Sequence, residues 1–292
     1  FVGLLSATPI FLLLLNGPIF RFAAKKGLAI YAEKNGLEHQ ATITGSLWSG
    51  PSITDLSLTP EIEATGPVRK LTAKEATIDY SIPALISDGP LGMLEKLALK
   101  QVTLDLVLKE KTEEEKAAEP PKDPDKKPFD PNTLWNLLAA DFEIEDVNVS
   151  ITTGEKTTII EGFTLVLPPG GTGKIALGKL TLPNGKGSDG FTAPLTSTGD
   201  SLTIGDGIQV IDPVRIRSLV LQKEITPILS GQIDLAGGTL DLGFTRSREI
   251  SAKLSSGAID LTKFLPENPP VSTTISAFNA TFSGDFKDPS TW

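Results

Sequence analysis

The stretch LEKLALKQVTLDLVL at residues 94–108 contains the pattern that decides the fold. Its apolar residues alternate with other residues, except that one extra residue lies in the middle, as in Leu97, Leu99, Val102, Leu104 and Leu106. Alternation at a period of two is typical of a β-strand with one apolar and one polar face. The extra residue reverses the alternation, and a β-bulge restores it by placing two residues opposite one on the neighbouring strand. We therefore predict a bulged strand with a continuous apolar face.

The same spacing recurs along the chain and predicts a repeated strand type. Complete copies are Phe142, Ile144, Val147, Val149; Ile175, Leu177, Leu180, Leu182; and Val214, Ile216, Leu219, Leu221. Partial copies are Ile53, Leu56, Leu58 and Ile160, Phe163, Leu165, Leu167. Turn residues separate the strands, as in Asn184-Gly185 and Gly205-Asp206-Gly207, and no long helical pattern interrupts them. We predict an all-β fold, an elongated and curled antiparallel-rich sheet, with an N-terminal transmembrane helix and one or two short helices.

The composition argues against several classes of function. The net charge is −9, and no basic surface with interleaved aromatic residues is visible, so nucleic acid is not an expected partner. The chain contains no cysteine, which excludes disulfide and thiolate chemistry. Its single histidine, His39, leaves little for catalysis that depends on histidine. We expect neither enzyme activity nor a cofactor or metal site.

The N-terminal segment predicts contact with a membrane. Residues 1–20 carry no charge, and about 20 apolar residues are enough to span a bilayer as a helix. A transmembrane anchor is the first interpretation, and the remnant of a signal peptide is the second, because the apolar run is short and interrupted by Pro9. The chain starts without methionine, so we expect further residues before Phe1.

The segment after the anchor, residues 21–40, is predicted to be a juxtamembrane amphipathic helix. Phe22, Ala29 and Ile30 would then face the lipid, although a plain connecting helix fits the same residues. The cations at Arg21, Lys25 and Lys26 favour a cytoplasmic body by the positive-inside rule.

The remainder divides into two strand-rich segments. Residues 41–109 form the first and residues 132–292 the second, with a short helix predicted at 132–140. Between them, residues 110–131 are rich in charge and proline, cannot bury enough apolar surface to order themselves, and are predicted to be a disordered linker. We find no second independent core.

Three polar motifs are better explained by structure than by chemistry. The GGTGK run at residues 170–174 lacks the glycine spacing of a phosphate-binding loop and indicates a turn. Asp141, Glu143 and Glu145 alternate with Phe142 and Ile144, which places the carboxylates on a solvated face rather than in a catalytic pair. His39 is expected at the surface or in an interface.

An ordered series of motifs resembles the N-terminal part of TamB-like proteins of the AsmA superfamily, from the Gram-negative cell envelope. The series comprises LLLLNGP at 12–18, GSLWSGPSITDLSL at 45–58, LEKLALKQVTLDLVL at 94–108, the acidic linker, FEIEDVNVSI at 142–151 and FSGDFKDPSTW at 282–292. The resemblance implies a single-pass inner-membrane anchor and a body in the periplasm, contrary to the orientation that the local cations favour.

The resemblance also implies a function in outer-membrane biogenesis, with no catalytic residues. The expected partners are phospholipid, the inner membrane and an outer-membrane barrel protein. The sheet is expected to form a hydrophobic β-groove that carries phospholipid between the membranes. The predicted lining residues are Leu56, Leu58, Ile78, Tyr80, Leu97, Leu99, Val102, Leu104, Leu106, Phe142, Ile144, Val147, Val149, Phe163, Leu165, Ile175, Leu177, Leu180, Leu182, Ile216, Leu219 and Leu221.

Two other functions fit the same pattern. An assembly or translocation factor would use the sheet edge as a template for outer-membrane strands, and a structural envelope scaffold would need no lipid transport. A self-covered β-sandwich on a membrane stalk would seal its apolar faces together and leave no groove.

Overall fold

The described part of the chain is mostly β-strand, and most strand pairs are antiparallel. The computed structural model describes residues 17–46, 50–60, 66–81, 84, 93–108, 140–211, 214–223, 229–235, 238–244, 249–256, 258–260, 274–276 and 279–285. Most of the predicted anchor, the whole linker at 110–131 and the predicted helix at 132–140 except Ala140 lie outside these residues. The chain divides into two compact units, unit 1 at Phe1–Val166 and unit 2 at Leu167–Trp292.

Helix α1 spans Pro18–Lys34 in unit 1. Proline occupies its first turn, where a missing N–H costs no hydrogen bond. At the other end, the side-chain amide of Asn35 donates to the carbonyl of Tyr31 at 2.7 Å, and Gly36 takes the left-handed conformation at φ 64°. The prediction that the helical segment extends to residue 40 is wrong, because this glycine ends the helix and a strand begins at Leu37.

The described residues of unit 1 form six strands after the helix. They are β1 Leu37–Ser46, β2 Gly50–Pro60, β3 Val68–Tyr80, β4 Leu94–Leu108, β5 Asp141–Thr153 and β6 Lys156–Leu167, whose last residue falls in unit 2. The first four pair antiparallel in chain order, but β4 and β5 pair in parallel. A parallel pair cannot be joined by a tight turn, and residues 109–140 separate the two strands in the chain.

The strand register aligns the apolar residues of β2 to β5 in rows that cross the sheet. Because directly paired residues point to the same face, each row is a line of apolar side chains on one side. We call these rows the unit 1 apolar face. In order along the strands they are Ile78, Leu97, Phe142; Ile53, Ala76, Leu99, Ile144; Leu56, Ala73, Val102, Val147; Leu58, Leu71, Leu104, Val149; and Leu106, Ile151.

The extra residue lies between the same two rows in all four strands. Asp55, Gln101 and Asp146 occupy this position in β2, β4 and β5, and each takes the left-handed conformation, at φ 52°, 50° and 52°. Lys74 holds the corresponding place in β3. In β6, Gly162 with φ 64° lies between Ile160 and Phe163, at the same point of the spacing. We call these residues the corner row.

The structure differs from the predicted bulge in where the two-against-one pairing occurs. At the extra residue of β4 the register to β3 and β5 does not shift, because those strands carry an extra residue of their own. The two-against-one arrangement appears instead between β1 and β2, where the register shifts between Gln40 and Thr42. The reason is that β1 alternates regularly and has no extra residue.

Side-chain hydrogen bonds fix the corner row at β5 and β6. The side-chain oxygen of Asn148 accepts from the backbone N–H of Gly162 at 2.8 Å, and its amide nitrogen donates to Asp146 at 3.1 Å. The backbone N–H of Asp146 donates to the hydroxyl of Thr164 at 3.4 Å. These bonds satisfy backbone groups that an irregular strand leaves out of its ladder.

Unit 2 consists of shorter strands. They are β7 Thr172–Leu177, β8 Lys179–Thr181, β9 Gly187–Ser188, β10 Phe191–Ser197, β11 Ser201–Ile204, β12 Ile208–Ile211, β13 Val214–Gln222, β14 Leu229–Leu235, β15 Gly238–Phe244, β16 Glu249–Ser256, β17 Ala258–Asp260, β18 Thr274–Ser276 and β19 Asn279–Asp285. The strands from β13 to β16 pair antiparallel in chain order, and β16 then pairs with β19. β13 bulges as predicted, with a register shift between Ile216 and Ser218.

The predicted bulged strand from Ile175 to Leu182 is wrong as a single strand. Gly178 separates β7 from β8, and the two strands have different partners, since β7 pairs with β10 and β8 pairs with β9. Leu182 lies past the end of β8, in the turn around Asn184-Gly185 that the sequence predicts. The first two residues of the GGTGK run form the expected turn, with the N–H of Gly171 donating to the carbonyl of Pro168 at 3.2 Å, and the last three begin β7.

Gln101 tests the cost of the corner row. The left-handed conformation destabilises a residue with a Cβ by roughly 1–2 kcal/mol. Glycine avoids this strain but costs about 0.5–1 kcal/mol, because it loses more chain entropy on folding. We expect Gln101→Gly to leave the free energy of unfolding unchanged or to raise it by up to about 1 kcal/mol, and Gln101→Val to lower it by at least about 1 kcal/mol. Urea unfolding measures both changes.

The matched control is Thr103→Gly in the regular part of the same strand. It should lower the free energy of unfolding by about 0.5–1 kcal/mol, because no strain is relieved there. Equal losses for glycine at 101 and 103 would contradict the assignment of strain to the corner row.

Candidate functional site

The unit 1 apolar face is chemically uniform. Its rows contain leucine, isoleucine, valine, alanine and one phenylalanine, and no polar side chain interrupts them. Along β4 the rows extend from Leu97 to Leu106, a path of about 30 Å at roughly 3.3 Å per residue. Across β2 to β5 they cover about 14 Å, since paired strands lie about 4.8 Å apart.

Burial varies along this face. Leu58 is 2% exposed and Leu56 and Val102 are each 9% exposed, so the middle rows are largely removed from solvent. The row that contains Leu97 and Phe142 is half-buried, and its remaining member, Ile78, is 39% exposed. The face is therefore closed at its centre and accessible at the end that Ile78 marks.

Helix α1 accounts for part of the buried region. Ala32 is fully buried in one cluster with Leu37, Leu58 and Val102, and Leu28 packs against the same cluster. Leu28 and Ala32 are four residues apart and so lie on one side of the helix. One side of α1 thus belongs to the core next to β1 and β2.

The predicted lining residues fall into three exposure classes. Leu56, Leu58 and Val102 are buried, and Ile78 is exposed. The others are half-buried, namely Tyr80, Leu97, Leu99, Leu104, Leu106, Phe142, Ile144, Val147, Val149, Phe163, Leu165, Ile175, Leu177, Leu180, Leu182, Ile216, Leu219 and Leu221. Most of the predicted lining is thus neither fully buried nor fully exposed.

The structure brings together twelve of these residues in the rows of the unit 1 apolar face. Tyr80 pairs with Leu94 beyond the end row, and Phe163 and Leu165 follow the corner residue of β6. The remaining predicted residues, from Ile175 to Leu221, belong to unit 2. They are distributed over β7, β8, β13 and the turn after β8.

Sequence reasoning named Ile78 and Tyr80 of β3 and missed Leu71, Ala73 and Ala76. Leu71, Ala73, Ala76 and Ile78 carry the same spacing as the other strands, and each occupies one row. The signal was present but weak, because two of the four positions are alanine. Ala73 is 5% exposed, which shows that a small side chain is needed where the middle rows are closely packed.

Unit 2 has apolar rows of its own. Ile216 of β13 pairs with Ile208 and Ile233, and Ile233 pairs with Leu240. Leu219 pairs with Ile204 and lies opposite Gly231, where an added Cβ would come within 2.6 Å of Cδ2 of Leu219. Glycine at 231 therefore leaves the space that the leucine side chain fills.

The other face of the unit 1 sheet is polar and carries an ion-pair network. Lys96 lies 3.3 Å from Asp141 and 3.0 Å from Glu143, measured from Nζ to the carboxylate oxygens. Lys100 lies 2.8 Å from Glu143 and 3.7 Å from Glu75. Two of the carboxylates predicted to be solvated, Asp141 and Glu143, thus join β4 to its parallel partner β5, and Glu75 joins β4 to β3.

The network shifts the ionisation of its members. Hydrogen bonds from Lys100 and then Lys96 lower the pKa of Glu143 below the usual range of a glutamate. The hydrogen bond to Glu143 is in turn the main reason why the pKa of Lys96 and that of Lys100 are raised. The three groups therefore stay charged over a wide range of pH. This face of the sheet is accordingly charged and hydrated, whereas the opposite face is apolar.

The described residues contain no cluster of histidine, cysteine or carboxylate side chains with the arrangement of a metal site. His39 is exposed on β1, opposite Leu58. Within the same residues, no helix combines the length and the hydropathy that crossing a bilayer requires.

Comparison with known proteins identifies no relative, since no family model, curated protein or solved structure matches the chain at a significant level. The resemblance to TamB-like proteins therefore stays a prediction.

Glu143 provides a test of the network through pH. Its pKa is lower in the folded than in the unfolded chain, so its stabilising contribution is complete above the unfolded value of about 4.3 and is lost as the pH falls through the folded value. We expect Glu143→Gln to lower the melting temperature at pH 7, and the difference from the natural chain to shrink as the pH falls below about 4.3. Thermal unfolding followed by circular dichroism across this pH range measures the difference.

The control is Glu161→Gln on β6, an exposed carboxylate outside the network. It should produce a much smaller change at pH 7. A difference for Glu143→Gln that stays constant down to pH 2 would count against the network.

Proposed function

We propose that the chain is a membrane-anchored periplasmic bridge protein that carries phospholipid between the inner and outer membranes. In this proposal the sheet curls into a β-groove, and the unit 1 apolar face forms part of its inner wall. The single observation that carries the proposal is the alignment of aliphatic residues in uninterrupted rows across four strands, with a charged network on the opposite face.

The energetics of a lipid tail support this function. Each methylene group exposed to water costs about 0.8 kcal/mol, so a tail of roughly 16 carbons faces a barrier of about 13 kcal/mol if it crosses water unshielded. An apolar face with a path of about 30 Å is long enough to shelter such a tail. No chemical reaction is needed to lower the barrier.

The chemistry of the rows favours movement over tight binding. Aliphatic side chains make dispersion contacts without direction, so a tail that slides by one row exchanges one set of contacts for an equivalent set. A polar group within the rows would fix one position by a hydrogen bond, and the rows contain none. The half-buried row with Leu97 and Phe142, next to exposed Ile78, offers a place of entry.

Carboxylates placed in the rows test the proposal. Leu104→Asp and Val149→Asp put a charge in the same row, and Ile78→Asp puts one at the exposed end, where folding is least affected. We expect each to reduce severalfold the phospholipid that copurifies with the chain, because a tail cannot lie against a desolvated carboxylate. Mass spectrometry of extracted lipid measures the loss.

The matched control is Thr103→Asp, which adds the same charge next to Leu104 but on the polar face. Its lipid content should equal that of the natural chain, and circular dichroism should show native strand content for all four variants. Unchanged lipid in a folded Ile78→Asp variant would overturn the proposal, as would an equal loss in Thr103→Asp. Strand-edge crosslinks to a barrel protein without any lipid would favour an assembly factor instead.

A further inference from the structure

Helix α1 has a second apolar side that the sheet does not use. Ile19 and Ile30 are 43% and 42% exposed, and Phe22 is 68% exposed, the largest value among the large apolar side chains of the described residues. Together with exposed Ala23 and Lys26 they follow the helical spacing of three or four residues. This stripe, residues 19, 22, 23, 26 and 30, lies on the side of α1 opposite the buried Leu28 and Ala32.

The charge of the helix is opposite to that of the chain. Four basic residues, Arg21, Lys25, Lys26 and Lys34, lie in α1 with one acidic residue, Glu33, whereas the whole chain has a net charge of −9. None of these four cations forms an ion pair with a residue that the structure describes. With about 3.6 residues per turn, Lys26 lies within the stripe and Lys34 lies beside it, whereas Arg21 and Lys25 lie on the side of Leu28 and Ala32. Basic residues on and beside an apolar stripe are typical of helices that lie on anionic membrane surfaces.

We propose that the outer side of α1 docks on an anionic bilayer surface, with the apolar residues of the stripe inserted at the level of the headgroups and Lys26 and Lys34 paired with lipid phosphates. Tyr31, which is 41% exposed, is of the residue type that favours this interface. Because the inner side of α1 packs on β1 and β2, docking would hold the first strands of unit 1 against the membrane surface. The docking surface is separate from the apolar face of the sheet and does not depend on lipid transport.

A fluorescent reporter on the stripe tests this docking. The chain contains no cysteine, so Ala23→Cys gives a single labelling site for an environment-sensitive dye, and Lys186→Cys in an exposed turn gives a matched control site. The full chain is reconstituted into vesicles of phosphatidylcholine alone or mixed with phosphatidylglycerol. We expect the dye at 23 to shift to the blue and resist an aqueous quencher in the anionic vesicles, more than in neutral ones, and the dye at 186 to stay exposed in both.

Second-site variants separate the apolar and the charged contributions. Adding Phe22→Ser should reduce the shielding of the dye, and adding Lys26→Gln with Lys34→Gln should lower the docking equilibrium roughly thirtyfold in anionic vesicles. Lys26→Arg with Lys34→Arg, which keeps both charges, should leave docking unchanged. Leu104→Asp should leave the dye signal unchanged even if it abolishes lipid binding, so that failure of docking and failure of lipid transport are distinguishable.

Two outcomes would overturn the inference. One is a dye at 23 that is as accessible to the quencher as the dye at 186 in anionic vesicles. The other is a blue shift that appears without vesicles and grows with protein concentration, which would assign the stripe to a second copy of the chain.

Discussion

The fold of unit 1 depends on one constraint. The apolar side chains of each strand must stay on one face of the sheet, although an extra residue interrupts the alternation of side chains between the two faces. One extra residue per strand would turn every later side chain to the opposite face. Asp55, Gln101 and Asp146 are these extra residues, and their left-handed conformation keeps the later side chains on the original face. Because all three lie between the same two rows, the neighbouring strands stay in register. The strain at each position is small compared with the cost of exposing a row of leucines.

The same alignment separates charge from apolar surface. Residues between those of the apolar rows point to the other face, where Lys96, Lys100 and Glu143 bind one another across β4 and β5. These bonds contribute to the parallel pair β4–β5, which has no tight turn to hold it in register. The unit 1 sheet therefore has one face that carries charged residues and one face that carries rows of aliphatic residues.

Helix α1 contacts the sheet with one side and carries the proposed membrane-docking surface on the other. Its inner side, through Leu28 and Ala32, completes the core, and its outer side presents Phe22 and basic residues to solvent. The sheet covers only the inner apolar side of α1. The outer apolar side remains exposed, and exposed apolar surface of this kind is typical of an interaction site. A bilayer surface meets both the apolar and the electrostatic requirement.

The type of strand could be predicted from the sequence, because alternation and the three-residue step at 99–102, 144–147 and 216–219 are local properties of the chain. The turns at Asn184-Gly185 and Gly170-Gly171 could be predicted as well, since glycine and asparagine favour these conformations locally. The folded structure was needed to show that β4 and β5 pair in parallel, that Gly178 divides the strand expected at 175–182, and that alanines in β3 complete the rows. Pairing partners and close packing depend on contacts between residues far apart in the chain, and no local pattern contains them.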